Sequence, residues 1–308
     1  MALLAGRTIA AQNARAMSLI TRVVAPIARR AAGGTAIIPA PAGSGLLFES
    51  DWATSTGTTD AALRDTDKTL PWDTANQGSV GINLNVIATG ALDFPTTNVL
   101  EVTYRVRAGA GPPSCECEIL DGWTVPPVNG SLYYRTYYRN SIADAEGALA
   151  FPSHHPIQAE ASADGTCAEW GWKFGIDTDG TYDTIMDMPN AQDSAYRRVE
   201  LNGVMQKDTT YILEWQVKRT ASTTHEMHVR IGDSNASQLW SDADFVSPDG
   251  GGRTLADNPV ISTTSASPCL EHVMVGNNGP DWGELSTNHL VYYGAVMVRD
   301  DDWAGAFA

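Results

Sequence analysis

From Leu46 onward the chain alternates between apolar and polar positions with a period of two. In VLEVTYRVR (99–107), Leu100, Val102, Tyr104 and Val106 face one way and Glu101, Thr103, Arg105 and Arg107 the other. In YILEWQVKR (211–219), Tyr211, Leu213, Trp215 and Val217 oppose Ile212, Glu214, Gln216 and Lys218. In HEMHVRIG (225–232), Met227, Val229 and Ile231 oppose Glu226, His228 and Arg230. Successive side chains of a strand point to opposite faces, so this alternation marks strands with one buried face. Further strands are expected over 46–50, 79–87, 131–139, 168–176, 197–204, 270–276 and 289–299. Asp164-Gly165, Asp179-Gly180, Asn202-Gly203, Asp249-Gly250 and Asn278-Gly279 supply turn signals, because these pairs accept the positive φ of tight hairpins. Roughly ten to twelve strands in about 260 residues, without βαβ alternation, predict an all-β, two-sheet antiparallel sandwich.

The first residues read differently. Over 1–32, Ala is abundant, and Met17, Ile20, Val24 and Ile27 recur at steps of three and four, which predicts an amphipathic helical arm. Pro26 should kink or end it. A Gly/Pro-rich linker follows over 33–45, so the expected layout is arm 1–32, linker 33–45 and sandwich 46–308. Arg7, Arg15 and Arg22 interrupt every candidate apolar core of a secretory signal, and no run here is suited to span a bilayer. The arm is expected to anchor the chain or to oligomerise it; its Arg-rich, acid-free composition also suits a transit peptide.

Charge sharpens this division. The 308 residues carry a net charge of −16, yet residues 1–48 hold five Arg and no acid, leaving −21 on the rest. An acidic body of this kind repels phosphate backbones, so nucleic acid is excluded as a partner. At 43% hydrophobic and 18% charged the chain is neither disordered nor a coiled-coil rod. Cys115, Cys117, Cys167 and Cys269 are too few and too scattered for a disulfide framework or a four-Cys zinc site. One or two disulfides and buried thiols both remain open.

LLFESDW (46–52) resembles the opening strand of concanavalin A-like jelly rolls. LYYRTYYRN (132–140) is similar to an aromatic and Arg-rich strand common in that superfamily, and 209–240 resembles its back hairpin. HLVYYGAVMVRDDDW (289–303) resembles its closing strand, which returns beside the first. The resemblance covers most of 46–303 and implies a jelly roll that binds ligand across one sheet. Saccharide sites need flat aromatics for sugar C–H faces and polar groups for hydroxyls, and acidic sugars add a need for Arg. Tyr133, Arg135, Tyr137 and Arg139 share one strand face and offer both; Leu132, Tyr134, Thr136 and Tyr138 share the other. Trp170 and Trp172 in AEWGWKFG are further ligand-binding candidates, with core packing as the alternative.

Enzymatic signals are thin. A glucanase-type glycosidase would place carboxylates alternately on one strand, but the E-x-D of Glu49-Ser50-Asp51 has no third acid after it, and Glu116 and Glu118 stand in the wrong order. A polysaccharide lyase would need a group to neutralise a uronate and a His or Tyr base; Arg135, Tyr137 and His154 are the candidates, His154 lying with His155 in an expected Pro-flanked loop. Asp177, Asp179 and Asp183 surround a Gly turn with hard oxygen ligands suited to Ca²⁺, the one cofactor the residues suggest, though a polar hairpin turn looks the same. His225 and His228 should face opposite sides of their strand, which argues against a shared zinc. P-loop, G-x-G-x-x-G and G-x-S-x-G motifs are absent. The expected function is a non-enzymatic, lectin-like head tethered by its arm to a larger assembly, a virion or phage decoration or fibre protein being the natural case. The expected partners are a glycan, an assembly protein contacted through 1–32 and further copies of the chain, at a virion surface or outside the cell. A lyase-type enzyme and a purely structural decoration protein are the alternatives.

Overall fold

The computed structural model describes residues 45–76, 82–104, 114–119, 122–141, 154–159, 170–176, 181–188, 197–247, 252–262, 270, 273–278 and 289–303. The expected arm (1–32) and nearly all of the expected linker lie outside the described residues.

Sixteen strands and one short helix make up the described chain. The strands are β1 (Leu46–Ser50), β2 (Thr74–Asn76), β3 (Ile82–Ala88), β4 (Asn98–Tyr104), β5 (Ser114–Ile119), β6 (Ser131–Asn140), β7 (His154–Ala159) and β8 (Trp170–Ile176). They continue as β9 (Thr181–Met188), β10 (Arg197–Gln206), β11 (Thr210–Arg219), β12 (Thr224–Asp233), β13 (Gln238–Ser241), β14 (Val260–Ser262), β15 (Val273–Asn278) and β16 (His289–Arg299). A nine-stranded sheet runs β13-β12-β11-β6-β16-β4-β3, with β1 beside β16 and β14 beside β12; a seven-stranded sheet runs β10-β9-β8-β7-β15-β5-β2. All pairings between these strands are antiparallel. The closing strand returns beside the first, as the resemblance implied.

The alternation read from the sequence becomes the core. Leu213, Trp215 and Val217 of β11 and Met227, Val229 and Ile231 of β12 are buried, and they join Cys117, Val199 and Val275 of the other sheet in one cluster. Tyr134 stacks on Trp215 with ring centroids 4.5 Å apart and planes 7° from parallel. Its hydroxyl donates to the Leu270 carbonyl at 2.7 Å, which also accepts the Trp123 indole N–H at 2.7 Å. Tyr293 of β16 crosses the core to donate to the Gly276 carbonyl of β15 at 3.3 Å. Burying aromatic bodies while pairing their polar tips avoids the cost of an orphaned donor. This places two sheets face to face, a β-sandwich.

Two irregularities shape the site. Register shifts between Tyr293 and Val296 of β16. One extra residue there keeps both Val291/Tyr293 and Val296/Val298 on the core side and re-aims the residues between them. At the other end of β1, the helix α1 (Asp60–Arg64) ends on Asp65, whose positive φ of 53° is tolerated by Asp. The buried Asp65 Oδ2 accepts hydrogen bonds from Ser50 Oγ (2.8 Å), Asp51 N (3.1 Å) and Trp52 N (3.0 Å), pinning this segment to the β1 end.

Several expectations need correction. His154 and His155 open a strand, β7, rather than standing in a loop. Pro156 cannot donate to a ladder, but it falls at the register shift between His154 and Ile157, so the strand accommodates it. Asn202-Gly203 is not a hairpin turn. It lies inside β10 at the register shift between Leu201 and Met205, where a bulge uses the same permissive residues. β2, β5, β9, β13 and β14 were not expected as strands; β5 and β9 alternate acids and small polar residues with apolar ones and so read as carboxylate or turn motifs. No helix among the described residues is long and apolar enough to cross a membrane.

Candidate functional site

The outer face of the nine-stranded sheet, turned away from the core, carries an ordered set of polar side chains. Strand register arranges them in cross-strand rows, since directly opposed residues on one face hold their side chains within about 5 Å. The central row is Met297, Arg135, Glu214 and Arg230, on β16, β6, β11 and β12. Glu214 is fully buried and sits between two guanidinium groups. Arg135 Nε lies 3.3 Å from Glu214 Oε1, and Arg230 Nε bonds Glu214 Oε2. Burial pushes the Glu214 carboxyl above the usual carboxylate range, and Arg135 followed by Arg230 pulls it back. Two cations against one anion leave the row with a net positive charge.

The next row is Arg299, Tyr133, Gln216 and His228. Gln216 Nε2 donates to Tyr133 Oη and to Ser131 Oγ, each at 3.1 Å. His228 Nδ1 is 2.7 Å from Asp242 Oδ2, while Asp242 Oδ1 accepts the Val229 N–H at 2.6 Å. With both oxygens engaged, Asp242 fixes the imidazole ring; its hydrogen bond holds the His228 pKa above the ordinary value against the opposing effect of burial. Trp303, just past β16, folds back over this corner. Its ring lies 4.2 Å from the Arg230 guanidinium carbon and meets Tyr133 edge-on at 5.3 Å. Gln216, His228, Arg230, Gln238, Asp242 and Trp303 line an open depression of about 440 Å³.

A third row closes the far end: Glu101, Tyr292, Arg139 and Thr210. Burial and the neighbouring Glu101 carboxylate push the Tyr292 hydroxyl up to about 12, and burial also raises Glu101, which hydrogen-bonds Thr103 and Tyr292. Between the two ends lies Tyr137, with the Arg135 guanidinium 5.6 Å from its ring centroid. Phe94, from the β3–β4 connection, packs over Gly294 beside Tyr137.

The structure therefore gathers Tyr133, Arg135, Tyr137 and Arg139 on one outer face and sends Leu132, Tyr134 and Tyr138 to the core. Arg135 is nearly buried against Glu214, so its charge serves the sheet first. His154 belongs to β7 in the seven-stranded sheet, across the core from Arg135 and Tyr137, so the structure does not bring the three together. Trp170 and Trp172 sit on β8 of that same sheet, and Asp183 on β9; their side chains, and Asp177 and Asp179 entirely, lie outside the described residues. Among the described residues no three His, Cys, Asp or Glu side chains gather as metal ligands. His225 is buried and His228 partly exposed on the opposite side of β12, as their spacing implied. Glu214, Arg230, Gln216 and His228 were marked as facing away from the core by alternation, but only the hairpin register joins them to β6. Nothing in the sequence announced Trp303 or Asp242 as neighbours of this row.

No protein-family model and no curated protein matches the chain. Among solved structures, the alginate lyase Aly36B is similar at 12% identity and a TM-score of 0.45, covering 84% of this chain and 98% of that one. The botulinum neurotoxin serotype D binding domain is similar at 8% identity and a TM-score of 0.36, over 84% of this chain and 48% of that one. An alginate lyase from Alteromonas sp. 272 is similar at 9% identity and a TM-score of 0.37, over 72% and 95%. The sandwich description rests on this chain's own strand pairing.

Proposed function

We propose that the chain is a carbohydrate-binding head of the concanavalin A-like jelly-roll type, and that its ligand lies across the outer face of the nine-stranded sheet. The depression under Trp303 carries this reading. An aromatic ring stands at its wall, while Gln216, His228 and Arg230 present donors and acceptors already fixed by neighbours. Such a pairing of a flat apolar surface with preset polar groups suits a sugar, which has both C–H faces and hydroxyls. In the same proposal the 1–32 arm attaches the head to a larger assembly, several copies act together, and the site of action is a virion surface or the cell exterior.

A glycan array containing neutral and acidic polysaccharides tests this on the full chain, with the length of each bound polymer measured afterwards. Binding with intact polymer supports the lectin reading. No binding on any spot sinks it and favours a structural role. The second reading, a polysaccharide-cleaving enzyme, is favoured by the Asp-oriented imidazole of His228, an arrangement suited to general acid–base work. Shortened polymer would put that reading first.

A further inference from the structure

We infer that Arg139 and Thr210 form an oxyanion subsite at the far end of the outer face, taking a carboxylate or sulfate group of the ligand. The two residues are directly opposed across β6 and β11. Arg139 Nε and Thr210 Oγ1 are both buried, and neither has a hydrogen-bond partner among the described residues. Buried donors left without acceptors are rare and costly, and each calls for an explanation. Two such donors on directly opposed residues, one of them on a cation whose side chain stays 18% exposed, suit an acceptor with two oxygens.

The surroundings agree. The Arg139 guanidinium approaches Asp208 Oδ1 at 3.8 Å, beyond hydrogen-bonding range, and that same oxygen already accepts Ser141 Oγ at 2.6 Å. On the other side, Tyr292 is turned to Glu101 through its hydroxyl. Arg139 thus has only a distant, exposed carboxylate beside it, whereas Arg135 lies against the buried Glu214 that it shares with Arg230. A planar anion meets guanidinium N–H geometry well, and a hydroxyl donor beside it adds a second bond. Six residues along β6 separate Arg139 from Tyr133, which Trp303 touches, about 20 Å at strand rise, so a ligand that spans both ends is an oligosaccharide of several sugar units. The inference rests on the carbohydrate reading for the ligand's scaffold, and not for its charge.

The test follows the Arg139 Nε–H signal by proton–nitrogen NMR in the full chain, assigned with Arg139→Gln. Glucuronate, glucose 6-sulfate and glucose are titrated in turn. The expected result is a shift of that signal with glucuronate, with the sulfate or with both, and none with glucose. Thr210→Val should then weaken binding of the anion that shifts it by about tenfold. An unmoved signal, an equal shift with glucose, or a long-lived water that stays on the Nε–H at saturating anion would each overturn the subsite. A shift that inorganic sulfate or acetate reproduces, together with a blank glycan array, would sink the carbohydrate reading and leave the anion subsite standing.

Discussion

Glu214 lies directly across from Arg135 on one side and from Arg230 on the other, and solvent reaches none of its surface. A buried carboxylate is stable only while its partners remain, and the partners likewise depend on it. Glu214→Ala strands two guanidinium groups and is expected to lower unfolding free energy by about 3 kcal/mol or more. Replacing Glu214, Arg135 and Arg230 together by apolar residues of similar volume should cost much less than the single change, because no unpaired charge is left. Urea unfolding of both variants checks this. A single-variant loss under about 1 kcal/mol would mean that the row is solvated.

Trp303 stands beyond the last strand and touches Arg230 and Tyr133 at the edge of the depression. Trp303→Ala removes one cation–π contact and the aromatic wall. Stability should fall by no more than about 1 kcal/mol, while glycan affinity should drop roughly tenfold or more. Trp303→Phe should recover part of the affinity. Calorimetric titration alongside thermal unfolding separates the two effects, and unchanged affinity in Trp303→Ala would move the ligand elsewhere on the face.

How much of this was legible depends on the range of the interaction. Period-two alternation is local, so β6, β11 and β12 and their core faces could be read directly: Leu213, Trp215 and Val217 inward, Glu214 and Gln216 outward. Which outward residue meets which is a matter of register, and register is set by contacts far apart in sequence. That is why Arg135 looked like a free ligand group before Glu214 appeared opposite it. The His228–Asp242 pair spans 14 positions and depends on a connection without periodicity. His154 shows the reverse error. Its closeness to the Arg strand in sequence suggested a shared site, yet β6 and β7 belong to different sheets.

Gly294 sits in the irregular stretch of β16, where a Cβ would fall 2.8 Å from Tyr137 Cβ and 2.9 Å from Phe94 Cδ1. The restriction is one of space. Phe94, on a connection, can swing aside; Tyr137 Cβ is held by the strand. Gly294→Ala is expected to cost about 1–3 kcal/mol through overpacking, and Phe94→Ala should not rescue it fully. Unfolding of the double variant against Phe94→Ala alone checks this. Complete rescue would show that the strand yields and that Phe94 was the obstacle.

His225 is buried on the core side of β12, where burial, followed by the charge of Arg219, pushes its pKa from 6.5 down to about 4. The unfolded chain therefore takes up a proton near pH 6.5 that the folded chain refuses until about pH 4. Stability from this group is fully present above the higher value and is lost as pH falls through that window, by about 3 kcal/mol in all. His228 works in the opposite sense. Its raised pKa, held up by Asp242, contributes stability at low pH that disappears as pH rises through the folded value. A single stability curve mixes the two, so the useful quantity is the difference between wild type and His225→Phe, which keeps an aromatic ring but cannot titrate. The difference should be constant at neutral pH and should move in favour of the variant as pH drops from 6.5 towards 4. Urea midpoints measured across that range decide it, and parallel curves would mean that His225 gains its proton in the folded protein as readily as in the unfolded chain.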